Sequence, residues 1–144
     1  MLKSKICLVD VNVWLALAAQ RHEHHGSARE WFGALGAEEA VFCRVTQMSF
    51  LRLLTNLAVM KEDVLKPRQA WTLYKDLRRD HRVTFSPEPS GLEEDWILLM
   101  TEPAGSQVWT DAYLAAFALG HNYALASFDR GFPRWKNLDC RLLA

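Results

Sequence analysis

The run Ile6-Cys7-Leu8-Val9 stops at an acid, Asp10, and the spacing of apolar residues changes there. Up to Asp10 the residues are apolar without a break. That length is too short for a membrane span and right for a parallel strand buried on both faces. After Asp10, Val11, Trp14, Leu15 and Ala18 recur at helical intervals. A buried strand therefore delivers one carboxylate at its carboxyl end, directly before a helix. In open parallel sheets that edge is where ligands bind. Asn12, two residues on, is placed to hydrogen-bond the carboxylate or the turn backbone. The plainer role for Asp10 is a helix cap, because aspartate is a favoured cap residue.

The remainder of the chain repeats this alternation. Ala28, Trp31, Phe32 and Leu35 predict a helix from Gly26, ending near Gly36. Ala40-Val41-Phe42-Cys43 predicts a second strand, and Thr46 is expected to cap a helix that stops near Asn56. Pro67 opens a further helix carrying Ala70, Trp71, Leu73, Tyr74 and Leu77, and Arg78, Arg79 and Asp80 close it. Arg82 to Phe85 predicts a third strand, and Leu92 to Met100 a helix between loops at Pro87 to Pro89 and at Pro103-Ala104-Gly105. Thr110-Asp111 is expected to open a helix that ends at Gly120 and Asn122. Tyr123 to Ser127 then predicts a fourth strand, and Leu138 to Leu143 a final edge strand. The expectation is one α/β domain over residues 1–144: a three-layer α/β/α sandwich around a mainly parallel sheet of four or five strands.

Charge narrows the function classes. Lys plus Arg is 17 and Asp plus Glu is 17. A balance of zero argues against binding nucleic acid by bulk electrostatics, but not against a nuclease that meets phosphate through a metal ion. Cys7, Cys43 and Cys140 are an odd number at wide spacing within apolar runs. They are read as buried free thiols in a reducing cytoplasm rather than disulfides or a zinc site. Lys3 and Lys5 precede an apolar run that Asp10 interrupts, so neither a secretory signal nor a membrane span is expected.

Three acids stand in comparable places. Asp10 follows the first strand, Asp129 follows the fourth, and Asp111 lies in the first turn of the helix leading into the fourth. If the first and fourth strands are neighbours, Asp10 and Asp129 meet. Like charges gathered without a paired lysine repel, so they make a poor structural motif. They suit a hard cation such as Mg²⁺ or Mn²⁺, which takes oxygen ligands and binds phosphate oxygens. The chemistry this suggests is metal-assisted hydrolysis of a phosphodiester. Ser127 and Asn12 are candidates for orienting the carboxylates.

The local sequences carry a resemblance. Val9-Asp10-Val11-Asn12-Val13-Trp14-Leu15-Ala16-Leu17 resembles the opening motif of PIN-domain ribonucleases. Thr110-Asp111-Ala112-Tyr113-Leu114-Ala115-Ala116-Phe117-Ala118 resembles the motif around their third acid. Leu125-Ala126-Ser127-Phe128-Asp129-Arg130-Gly131-Phe132 resembles the last, where Ser or Thr precedes Asp by two. Order and spacing cover nearly the whole chain. The nearest subgroup is similar to the VapC-type toxins of bacterial toxin–antitoxin pairs, to which His22, His25, Ala28, Trp31-Phe32, Thr46-Gln47 and Phe50-Leu51-Arg52 also correspond. The resemblance implies a Mg²⁺-dependent endoribonuclease with its first strand central. It also implies an RNA substrate, a homodimer and a cognate antitoxin. One position departs from the pattern. PIN domains usually carry a Glu at the start of the third main helix, and Gln47 stands there. An amide accepts hydrogen bonds but brings no charge, which implies weaker metal binding.

Several residues have simpler readings. His22, His24 and His25 are read as structural or solvated, because no partner ligand is identified. Arg52 is read first as an ion-pair partner of the acids and second as a contact to RNA phosphate. The tryptophans fall mostly on apolar helical positions, with Trp14 the one to watch beside the site. Two functions from different classes remain: an RNase toxin, and a catalytically weak PIN-like module that binds RNA or a partner. A phosphatase with Asp10 as nucleophile is more distant, since Asn12 stands where a second acid is needed.

Overall fold

A computed structural model describes residues 5–101 and 105–144. The elements alternate along the chain: β1 (Ile6–Val9), α1 (Val11–Ala18), α2 (His25–Gly33), β2 (Glu39–Phe42), α3 (Arg44–Leu54), α4 (Leu57–Met60), α5 (Pro67–Arg78), β3 (Val83–Phe85), α6 (Leu92–Leu99), α7 (Val108–His121), β4 (Ala124–Ser127) and β5 (Cys140–Leu142). The five strands form one wholly parallel sheet in the order β3-β2-β1-β4-β5. β1 is central and β4 is its neighbour. Val9 sits opposite Ala126, so the residues after them, Asp10 and Ser127, come out side by side at the carboxyl edge.

Alternate side chains of the sheet build the two cores. Leu8, Val41 and Leu125 face α6 and α7. Val9, Ala40, Phe42 and Val83 face α1, α3 and α5. On that second face Cys7, Ala124 and Ala126 are small, and Trp31 of α2 fills the space they leave. Trp14 belongs to the core and not to the site. It is fully buried, stacked on Phe42 at 4.0 Å and 7°.

Element ends depart from expectation where a cap was misread. α3 starts at Arg44, with Cys43 as its N-cap. Thr46 lies three residues inside and accepts the Cys43 N–H at 3.0 Å, which makes it the inner member of the cap. Asn56 does not merely stop α3. Its side chain accepts from the amides of Ala58 and Val59 at 2.9 and 3.3 Å and so starts α4. α7 begins at Val108, two residues before the expected Thr110. Pro67 opens α5, and Asn122 ends α7 in the left-handed conformation at φ 62°. Of the expected loop Pro103-Ala104-Gly105, the first two residues lie outside the described residues, as does Lys3.

Candidate active site

Asp10 is fixed by the first turn it caps. Its Oδ1 accepts the Val11 N–H at 2.7 Å and its Oδ2 accepts the Ser127 hydroxyl at 2.7 Å. The Ser127 oxygen in turn accepts the Asn12 side-chain N–H at 3.3 Å and the Asp129 amide at 2.9 Å. Asn12 closes the loop by accepting the Phe128 amide at 3.3 Å. The end of β4 is thereby tied to the start of α1. Asp129 leaves that turn with Oδ1 accepting the Gly131 amide at 2.8 Å. Asp10, Asn12, Ser127 and Asp129 thus form one connected network, in which local bonds at Val11, Asp129 and Gly131 are joined by bonds from Ser127 and Phe128 that cross 115 to 117 residues of chain.

Asp111 enters from the first turn of α7. Burial pushes its carboxyl up, and the charges of Asp129 and then Asp10 push it further, to about 6. The field of Arg134 works the other way, and a hydrogen bond with Asp129 again favours the protonated form. Asp10 is also raised, mainly by burial and in part by Asp129, against the pull of its bonds to Ser127 and Val11. Asp111 therefore feels both of the other acids, and Asp10 feels Asp129.

The donor set fits a hard divalent cation in its chemistry: oxygen donors only, at mutual repulsion, with their orientation held by Ser127 and backbone amides. Among the described residues, no three His, Cys, Asp or Glu side chains form a ready-made ligand group.

A family model for the PIN domain matches residues 7–138. The chain belongs to the PIN-domain family. Ribonuclease VapC41 of Mycobacterium tuberculosis is 41% identical over 143 residues, spanning 95% of this chain and 98% of that protein. Ribonuclease VapC31 of the same organism is 33% identical over 135 residues, with 91% and 94% covered. The fold is shared with solved structures at lower identity. The crystal structure of VapBC2 from Rickettsia felis bound to a DNA fragment from their promoter contains a chain that superposes with a TM-score of 0.70 at 15% identity, covering 96% of this chain and 99% of that one. VapC20 of Mycobacterium tuberculosis, a Sarcin-Ricin loop cleaving toxin, superposes at 0.66 with 19% identity, covering 94% and 98%.

Within this PIN domain Gln47 is buried in the first turn of α3, at the same sheet edge as the acids. Its amide oxygen accepts from Arg44, whose guanidinium also lies over the Phe85 ring at 4.6 Å. The position that PIN relatives are expected to fill with Glu is thus neutral and already engaged by a cation. Arg52 is not brought to the acids. It is exposed near the far end of α3, roughly 12 Å along the helix from Arg44. There it lines a surface groove with Thr55, Pro67 and Trp71. The expected pairing of Arg52 with the acid cluster fails because helix rise carries it away from the edge.

The histidines have structural partners. His25 Nδ1 meets the Ala16 carbonyl at 2.8 Å, and His22 Nδ1 accepts the His24 amide at 3.0 Å. His24 stacks on Phe128 at 4.6 Å. Of the acids left unplaced by sequence, Glu38 meets Arg141 at 3.3 Å and Glu39 opens β2, away from the carboxyl edge. Glu94 lies in the first turn of α6. Sequence reasoning missed Arg134. It follows Asp129 by five residues across a Gly-Phe-Pro turn, and only the return of that turn toward Asp129 reveals it.

Proposed function

We propose that this PIN domain is a metal-dependent endoribonuclease, the toxin of a toxin–antitoxin pair. The observation that carries it is the gathering of Asp10, Asp111 and Asp129 at one sheet edge, where Asp129 raises the cost of charging Asp10 and both raise the cost of charging Asp111. Asp10, Asp111 and Asp129 would hold Mg²⁺ or Mn²⁺, which when bound lowers the pKa of a water and offsets charge on a phosphate. The chain's own part is to fix the carboxylates. Ser127 orients Asp10 and the Asp129 amide together, and Asn12 holds Ser127. Cleavage of RNA by the purified chain, freed of any bound protein and measured with and without chelator, tests the proposal. No cleavage at any Mg²⁺ or Mn²⁺ concentration would favour the other reading, a binding module weakened at Gln47, for which the Arg44 contact speaks.

Protein partners fit two exposed apolar surfaces. Ile97 and Leu98 of α6 and Trp109 of α7 are 70%, 67% and 55% exposed on one helical layer. Leu57, Val59 and Trp71 are exposed on the opposite layer. Patches of this kind favour association. We assign them to a second copy of the chain and to the antitoxin, and sedimentation of the chain alone and with its antitoxin checks both. A cytoplasmic setting is supported by three free cysteines, each with its thiol pushed up chiefly by burial, Cys7 to about 12. Among the described residues no helix is long and apolar enough to cross a membrane.

A further inference from the structure

An acid-lined site repels the substrate it is meant to hold. RNA brings phosphate to a sheet edge with three carboxylates, on a chain whose net charge is zero. Beyond any bound cation, the approach of a phosphate needs a fixed positive group at the rim. Three arginines stand nearby. Arg44 is committed to Gln47 and the Phe85 ring. Arg130 is exposed, and among the described residues no contact fixes its side chain. Arg134 is exposed and held in place at once.

We infer that Arg134 positions a backbone phosphate of RNA beside the Asp111–Asp129 pair, an inference that rests on the ribonuclease reading. The guanidinium is anchored on two sides. Nε donates to the Gly131 carbonyl at 2.8 Å, and the group lies over the Trp135 ring at 5.1 Å. That ring is tethered in turn by its N–H to the Leu99 carbonyl at 3.3 Å. The buried Phe132 pins the short turn that carries the arginine. Nη2 lies 2.6 Å from where a Cβ on Gly131 would stand, and Asp129 Oδ1 lies 3.1 Å from the same point. The guanidinium and the carboxylate therefore flank one small residue. No ion pair within 4.0 Å consumes Arg134 among the described residues. With Nε turned to the backbone, the terminal Nη1–Nη2 fork keeps the donors that grip two oxygens of one phosphate. A lysine would keep the charge and lose the fork.

The test uses a short fluorescein-labelled single-stranded RNA, followed by anisotropy on an Asp10→Asn background so that it is not cut. Salt is varied between about 50 and 200 mM. Arg134→Gln, which removes the charge and the fork but keeps a donor, is expected to weaken binding about tenfold and to flatten the log–log salt slope by about 0.7, the share of one phosphate contact. Arg134→Lys should restore the slope. In the cleaving protein, Arg134→Gln should act mainly by raising KM for RNA, and Arg134→Lys should recover only part of kcat/KM. Arg68→Ala, a remote exposed cation on α5, sets the baseline. An unchanged slope and affinity in Arg134→Gln, or an equal loss in Arg68→Ala, overturns the inference while leaving the ribonuclease reading intact. If the unaltered chain neither binds nor cuts RNA, the ribonuclease reading fails and Arg134 falls with it.

Discussion

Asp80 and Asp111 are both aspartates at the end of an element, and the protein moves them in opposite directions. Asp80, just ahead of β3, receives Arg82 Nε and Nη2 at 3.1 and 2.8 Å, and these bonds hold its carboxyl down at about 2. Asp111 lies beside Asp129 and Asp10, and burial and repulsion lift it to about 6. The contrast extends along the sheet. Glu38 before β2 and Asp139 before β5 both meet Arg141, at 3.3 and 3.9 Å. Asp10 after β1 and Asp129 after β4 are met by a hydroxyl and by backbone amides. Acids that lead into strands are paired and structural. Acids that leave strands are oriented by neutral donors and, among the described residues, enter no ion pair within 4.0 Å, which suits the binding of a cation.

The largest effect should come from crossing that line. Asp10→Asn keeps a good helix cap but removes a ligand charge. We expect RNA cleavage to fall by about 10²–10³-fold, with the circular dichroism spectrum unchanged. Glu38→Gln at the paired end should leave cleavage within about twofold, since surface pairs contribute little. Equal losses in the two variants would erase the distinction. Gly131→Ala comes next. Its φ of −77° suits alanine, but the new Cβ would meet Arg134 Nη2 at 2.6 Å and displace the guanidinium. Cleavage should drop about tenfold, or about 1.4 kcal/mol by the usual conversion, while the thermal midpoint holds.

Stability against pH sharpens the comparison further. The folded pKa of Asp111 lies above its unfolded value, so its contribution is fully present below about pH 4 and is lost as pH rises through 6. Asp80 is the reverse: its contribution is present above about pH 4 and is lost as pH falls toward 2. Asp111→Asn should therefore raise the thermal midpoint at pH 7.5 by about 2–4 °C, from ~1 kcal/mol once its half-exposure is allowed for. The gain should vanish near pH 4, and scanning calorimetry across that range reads it. The Mg²⁺ needed for half-maximal cleavage by the unaltered chain should rise below about pH 6, where the proton competes with the metal for Asp111. The smallest effect concerns Gln47. A Glu at 47 adds a unit charge at the edge, but Arg44 already reaches that side chain and would neutralise part of it. Gln47→Glu should tighten Mn²⁺ binding by about tenfold or less, measured by titration calorimetry. A gain of two decades would mean that Arg44 gives way to the metal.

The three acids and the parallel sheet were legible because both are local patterns. A buried strand followed by an acid and a helix reads directly from Ile6 to Ala18, and a buried strand followed by an acid reads again from Tyr123 to Asp129. Caps were less legible. Thr46 and Asn56 are good cap residues wherever they stand, and only the hydrogen-bond partner decides which end of which helix each one serves. The sequence by itself thus determined the alternation of strand and helix, the placing of Asp10, Ser127 and Asp129 after their strands, and the neutrality of position 47. Strand order decided the rest. Setting β4 beside β1 joins Ser127 to Asp10 across 117 residues of chain. Helix rise carries Arg52 away from the edge, and a buried Phe132 folds Arg134 back toward Asp129. Pairing of charges is set by distance in space, and spacing along the chain fixes that distance only within a single turn or helix.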